Sequence, residues 1–166
     1  VYIIKDAEAK MLIASAAYVS LVDGFRSELE TVERFIAIDA DGVEGWDDYR
    51  RWIADQPPVP PDRVVTDDDD VYQMYTSGTT GHPKGAVLTH GAVDANITQV
   101  SVVAKGEPGE RYLIVAPVYH AAAAVTVFTC VRWGMCLYIQ EEFNPVEVVA
   151  ALAEETTAGA TLVPSM

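Results

Sequence analysis

The sequence predicts an α/β fold, a mostly parallel sheet flanked by helices on both faces. Two observations predict it. Continuously apolar runs such as Phe35-Ile36-Ala37-Ile38 and Tyr112-Leu113-Ile114-Val115-Ala116 read as strands buried on both sides. Stretches with apolar residues at helical spacing lie between several of those runs, the alternation of a parallel sheet with crossover helices. Half of the 166 residues are hydrophobic, enough for a real core and too many for a disordered chain.

Met11 to Ala14 is the first buried strand, and a helix is predicted from about Ala17 to Thr31, with Val19, Val22, Leu29 and Val32 as its apolar residues. Phe35 to Ile38 is the second strand, and Asp39 to Gly45 an acidic turn region. Trp46 to Ala54 predicts a short helix that puts Trp46, Tyr49 and Trp52 close to one face as packing residues. Pro57-Pro58-Val59-Pro60-Pro61 then stops regular structure, and with Asp67 to Asp70 it makes a Pro-rich, acidic connection over about 56–70. That aspartate run reads as a solvated loop.

Val71 to Tyr75 and Ala86 to Leu88 read as two strands around a polar loop. A helix follows over about Gly91 to Ala104, with Val93, Ile97, Val100 and Ala104 on its buried face. His90 sits structurally at its start. After the Tyr112–Ala116 strand and Pro117, a small-residue helix runs from Ala121 toward Arg132, and Met135 to Ile139 is another strand. Asn144-Pro145-Val146-Glu147 carries a cap, a first-turn proline and a capping-box glutamate. Gly159 ends that helical stretch, and Ala160 to Pro164 is the last strand. No internal repeat is present.

Acidic residues outnumber basic ones, 25 to 11, and the net charge is −14. A nucleic-acid backbone needs a basic footprint, so nucleic acid is excluded as a partner. Cys130 and Cys136 have no C-x-x-C and no zinc-like spacing, which predicts two buried free thiols in a reducing compartment. No apolar run reaches the length of a membrane span and no signal peptide is present. The expected location is the cytoplasm, with peripheral membrane association allowed. The chain begins with Val1 and ends just after a strand, so it reads as a piece of a longer protein.

The stretch that carries chemistry is Met74-Tyr75-Thr76-Ser77-Gly78-Thr79-Thr80-Gly81-His82-Pro83-Lys84-Gly85. It holds four small-residue hydroxyls, three glycines and a lysine. Glycines let backbone N–H groups approach an oxyanion closely. Thr76, Ser77, Thr79 and Thr80 can donate to phosphate or ligate Mg²⁺, and Lys84 adds a compact positive charge. The P-loop pattern is not met, because His82 and Pro83 separate Gly81 from Lys84, and G-x-G-x-x-G is absent. A second candidate is Pro117-Val118-Tyr119-His120, directly after an apolar strand, where α/β sheets place their ligands.

Tyr-Thr-Ser-Gly-Thr-Thr-Gly-x-Pro-Lys-Gly closely resembles the signature of the adenylate-forming enzymes, which include acyl-CoA synthetases, luciferases and peptide-synthetase adenylation domains. Pro-x-Tyr-His at 117–120 resembles that family's second motif, and Thr161 to Pro164 resembles a third. The resemblance spans much of the chain and is motif-specific in those three stretches. It implies that residues 1–166 are an incomplete N-terminal AMP-binding domain of an acyl-CoA synthetase-like fold. The connection at 56–70 would lie inside that domain, and the lysine-bearing C-terminal domain would be absent.

What the resemblance implies is ATP-dependent activation of a carboxylic acid, fatty in the favoured reading, to an acyl-adenylate and then to acyl-coenzyme A. Thr76, Ser77, Gly78, Thr79, Thr80, Gly81 and Lys84 would hold the nucleotide phosphates, with Thr79 and Thr80 positioning Mg²⁺. Tyr119 and His120 would lie at the acyl carboxylate, and His120 is the implied catalytic residue. Small side chains at Ala121 to Ala124 would leave room for an apolar acyl group. Tyr-Gly-x-Thr-Glu and Tyr-x-Thr-Gly-Asp, which supply the family's metal-holding glutamate and ribose-binding aspartate, do not occur. The 166 residues alone are therefore expected to be inactive. The competing readings are an aryl-acid CoA ligase, a non-catalytic nucleotide-binding module, and an interaction domain with a fortuitous loop.

Overall fold

The structure, a computed structural model, describes residues 1–76, 81–154 and 157–163. Ser77, Gly78, Thr79, Thr80 and Pro164, named above for the phosphate loop and the third motif, lie outside the described residues. The chain divides into two compact units, Val1–Val64 with Tyr75–Ala86, and Val65–Met74 with Val87–Met166. The first crossing between them falls inside the Pro-rich, acidic connection.

In the first unit, α1 (Tyr2–Asp6) precedes β1 (Met11–Ser15), α2 (Ala16–Asp23), β2 (Arg34–Ile38), β3 (Asp47–Asp48) and α3 (Tyr49–Ala54). β1 and β2 are parallel, pairing Met11 with Arg34 through to Ser15 with Ile38, and β3 joins the other edge of β2. Val19, Val22, Leu29, Val32, Phe35 and Ala37 are buried together, as their spacing predicts. The predicted helix to Thr31 is interrupted. α2 stops at Gly24, and a 3-10 turn over Arg26–Glu28 follows. That break lays the Arg26 guanidinium 3.9 Å from the Phe35 ring centre, while Arg26 donates to the Gly45 carbonyl at 2.6 Å.

Trp46 also departs from expectation. It does not join a helical face with Tyr49 and Trp52, but packs edge-on against Phe35 and donates its indole N–H to Asp23 at 2.9 Å. Asp47 and Asp48 pair with β2, and the Asp48 carboxylate accepts from the Arg51 N–H at 2.7 Å to cap α3. The helix thus starts three residues later than its aromatic spacing suggests.

β4 (Asp70–Thr76) and β5 (Lys84–Thr89) form a two-stranded sheet around the hydroxyl-rich stretch. In the second unit, α4 (His90–Ser101) leads to β6 (Arg111–Ile114), α5 (Ala121–Trp133), β7 (Cys136–Ile139), α6 (Pro145–Ala153) and β8 (Thr157–Thr161). The strand order is β7-β6-β8, and both pairings are parallel. Alternate residues of the central strand serve opposite faces. Leu113 and Val115 pack with Val148 and Ala151 of α6, whereas Ile114 and Ala116 pack with Ala123 of α5. Both faces of this sheet are covered, as its continuously apolar strands predict.

Gly134, at φ +65°, closes α5, and the Met135 N–H returns to the Cys130 carbonyl at 2.9 Å. Gly159 is not a helix end. It lies within β8, where a Cβ would come 3.0 Å from the Tyr112 ring. Among the described residues, no helix is long and apolar enough to cross a membrane.

Candidate active site

Thr76 ends β4 and Lys84 opens β5, so the two strands deliver both ends of the loop. Thr76, Gly81, His82 and Lys84 are exposed. Gly81 has φ +128°, a backbone conformation that L side chains rarely adopt. Two contacts flank the loop inside the first unit. The Tyr75 hydroxyl donates to Asp6 Oδ2 at 2.7 Å, and the Tyr2 ring stacks on His82 with centres 4.7 Å apart. Tyr2 also donates to Asp6 Oδ1 at 3.4 Å. Partial desolvation, then the Asp6 carboxylate beside it, pushes the Tyr2 phenol above its ordinary value. No sequence signal marked α1, which is five residues long and buries none of them.

The second unit holds the other candidates. Pro117 to His120 follow β6, and the His120 N–H closes a turn onto the Pro117 carbonyl at 2.9 Å. The chain leaves β6 for β7 on one side and later returns to β8 on the other. The carboxyl ends of β6 and β8 therefore form the kind of switch point where such sheets bind ligands. His120 caps α5, its Nδ1 accepting the Ala122 N–H at 3.4 Å. That acceptor role assigns the neutral ring's proton to Nε2. Tyr119 is 83% exposed, so most of its ring faces solvent.

Farther along α5, a cavity of about 150 Å³ is lined by Val100, Tyr112, Val125, Thr126, Thr129 and Cys130, with Met135 and Ala158. Lys105 and Gly106 also line it, so apolar side chains share the space with Lys105 and the Thr126 and Thr129 hydroxyls, and Thr126 Oγ1 lies 3.0 Å from Thr161 Oγ1. The alanines of 121–124 do not line it. Ala123 is fully buried against the sheet, where its small size permits close packing.

The aspartate run is solvated as expected, with Asp67, Asp68 and Asp70 exposed, and it also carries local hydrogen bonds. Asp69 Oδ2 accepts from the Thr66 N–H and hydroxyl, and the carbonyls of Asp69 and Asp67 accept from the N–H groups of His90 and Gly91. Thr89, not His90, caps α4 through its hydroxyl. No group of three or more His, Cys, Asp or Glu side chains suited to a metal exists among the described residues. Cys130 is buried and Cys136 exposed, both free, so only one of the two predicted buried thiols is one.

The AMP-binding enzyme family matches residues 1–166, the whole chain. The chain belongs to that family. It is 30% identical over 168 residues to a long-chain-fatty-acid–CoA ligase, FadD13, of Mycobacterium tuberculosis, covering 99% of this chain and 32% of the relative. It is 40% identical over 109 residues to a feruloyl-CoA synthase of an Amycolatopsis species, covering 64% of this chain and 22% of the relative. Among solved structures, the N-terminal domain of FACL13 from M. tuberculosis superposes with a TM-score of 0.84 at 26% identity, over 99% of this chain and 40% of that one. The chain thus spans about a third or less of the curated relatives it matches. The α/β architecture with parallel strands is the one those N-terminal domains share.

Proposed function

We propose that the protein to which this chain belongs activates a carboxylic acid with ATP and passes the acyl group to coenzyme A. The observation that carries this reading is the Tyr75–Gly85 string, with β4 and β5 delivering its two ends. Its donor set is hydroxyls, glycine amides and one lysine, which suits a polyphosphate. Thr79 and Thr80 would hold Mg²⁺, which when bound offsets charge on the phosphates.

The acid's carboxylate attacks the α-phosphorus of ATP, the bond to the bridging oxygen breaks, and pyrophosphate leaves. Ser77, Gly78, Thr80 and Gly81 hold the β- and γ-phosphates, Thr76 supports them at the strand end, and Lys84 offsets their charge. His120 Nε2–H and the N-terminal end of α5 present positive potential to a carboxylate oxygen. Tyr119 borders the same group. Coenzyme A thiol then attacks the acyl carbonyl, and AMP leaves.

The acyl tail takes the α5 cavity in this reading. Val125 lies five residues beyond His120, or about 7 Å along the helix axis. Val100, Val125 and Met135 in the mixed lining, together with the FadD13 relative, favour a fatty acyl group. A specific observation favours an aryl acid as the second reading. The volume of about 150 Å³ equals that of an engineered cavity that takes benzene, and one relative is a feruloyl-CoA synthase. The test is ATP–pyrophosphate exchange by the full-length protein with medium and long fatty acids, a cinnamate-type acid and several amino acids. Exchange with fatty or aryl acids alone is expected. Preference for an amino acid, or no exchange with any acid, overturns the proposal.

A further inference from the structure

We infer that α1 is a clasp that positions the phosphate-binding loop, with Asp6 and Tyr2 as positioning residues. This rests on the reading of that loop as a nucleotide site. The argument starts from connectivity. Tyr75 stands immediately before the hydroxyl-rich run and His82 immediately after Gly81. Between them the chain has only six residues in which to present its donors. One carboxylate and one ring on a separate helix join the two ends. Asp6 Oδ2 accepts from the Tyr75 hydroxyl at 2.7 Å, Asp6 Oδ1 accepts from Tyr2 at 3.4 Å, and the Tyr2 ring stacks on His82 at 4.7 Å and 20°. The sequence Tyr75–Asp6–Tyr2–His82 therefore runs continuously from the strand entering the loop to the turn leaving it, all within one compact unit.

The contacts are specific. Asp6 and Tyr75 are 69 residues apart, so their hydrogen bond is a tertiary choice and not a turn by-product. The bond joins a neutral donor to an ionised acceptor, the stronger kind. Half-buried Ile4 packs α1 against the first unit's core, and the Asp6 and Tyr2 contacts are what that anchored helix presents to the loop's flanks. Joining the two flanks fixes the span across which the donors are presented, and that positioning appears in nucleotide affinity.

The test uses the full-length protein with ATP binding by calorimetry as the primary readout. Tyr75→Phe and Asp6→Ala should each raise the Kd for ATP roughly fivefold, about the worth of one hydrogen bond. The double variant should be no worse than either alone, because both remove the same link. His82→Ala should weaken ATP likewise, and His82→Phe, which keeps the stack, should restore it. The KM for the acid and the melting temperature should stay near the wild-type values. Unchanged ATP affinity in both single variants, additive losses in the double, or a fall in melting temperature with ATP affinity intact overturns the clasp. Wild-type protein that binds ATP but shows no pyrophosphate exchange defeats the adenylation reading and leaves the clasp to its own readout. Wild-type protein that binds no ATP defeats both.

Discussion

In the proposed mechanism His120 serves two ends. Its Nδ1 caps α5, and that contact turns Nε2–H outward as a donor. The two roles separate by substitution. Asparagine is among the best N-caps, so His120→Asn should keep the helix start and leave the melting temperature nearly unchanged. It lacks the imidazole donor, so adenylation should fall about a hundredfold, the loss typical of one positioned catalytic group. Measuring exchange rate and melting temperature on the same preparation checks this. Unchanged exchange would reduce His120 to a cap. The sequence placed His120 after an apolar strand, where the structure has it, whereas its cap was not legible, since histidine is no usual N-cap.

At the scale of elements, Asp48 carries a pH dependence. The N–H of Arg51 at the start of α3, then a side-chain hydrogen bond with Asp41, and after these the Arg51 and Arg50 charges, hold its carboxyl below the ordinary range against a smaller opposing effect of desolvation. A depressed native value means the charged form is favoured in the folded state. The stabilisation is therefore fully present above the unfolded value, about 3.9, and is lost as pH falls through the native one. Asp48→Asn keeps a cap without the titrating charge. Its urea midpoint should fall less than that of the wild type as pH drops below about 4, and identical acid limbs would refute the assignment. α5 yields a second expectation. Val125→Trp fills the cavity beyond His120, so exchange with the longest acids should drop most and short acids should be spared. Equal loss at every length would show that the acyl group lies elsewhere.

For the whole molecule, the 166 residues hold the loop and the strand-end histidine, but neither a Tyr-Gly-x-Thr-Glu nor a Tyr-x-Thr-Gly-Asp motif. The purified chain alone should show no ATP–pyrophosphate exchange with any acid, while the full-length protein should. Clear exchange by the 166-residue chain would mean that other residues supply those contacts. The two units bury separate cores, one around Phe35 and Trp46 and the other around Leu113 and Ile114. Each has its own parallel three-stranded sheet.

The sequence by itself determined most of the strands, the class of sheet and the family, because buried parallel strands must be continuously apolar and because the Tyr75–Gly85 string is long and unbroken; it missed β3, and β8 lies three residues earlier than expected. It also located Asn144 as a cap, whose side chain accepts from Val146 and Glu147. Its expected capping box took another form, with the Asn144 amide donating to Glu147 at 3.1 Å. Only the tertiary structure decided where α2 ends, why Trp46 leaves its neighbours, and what holds the flanks of the loop. Arg26 reaches Phe35 and Gly45, Trp46 reaches Asp23, and Tyr75 reaches Asp6, each across many residues. Local periodicity reports which face of an element is buried. It carries no information about a partner 20 or 70 residues away, and at these positions that partner's contact outweighs local propensity.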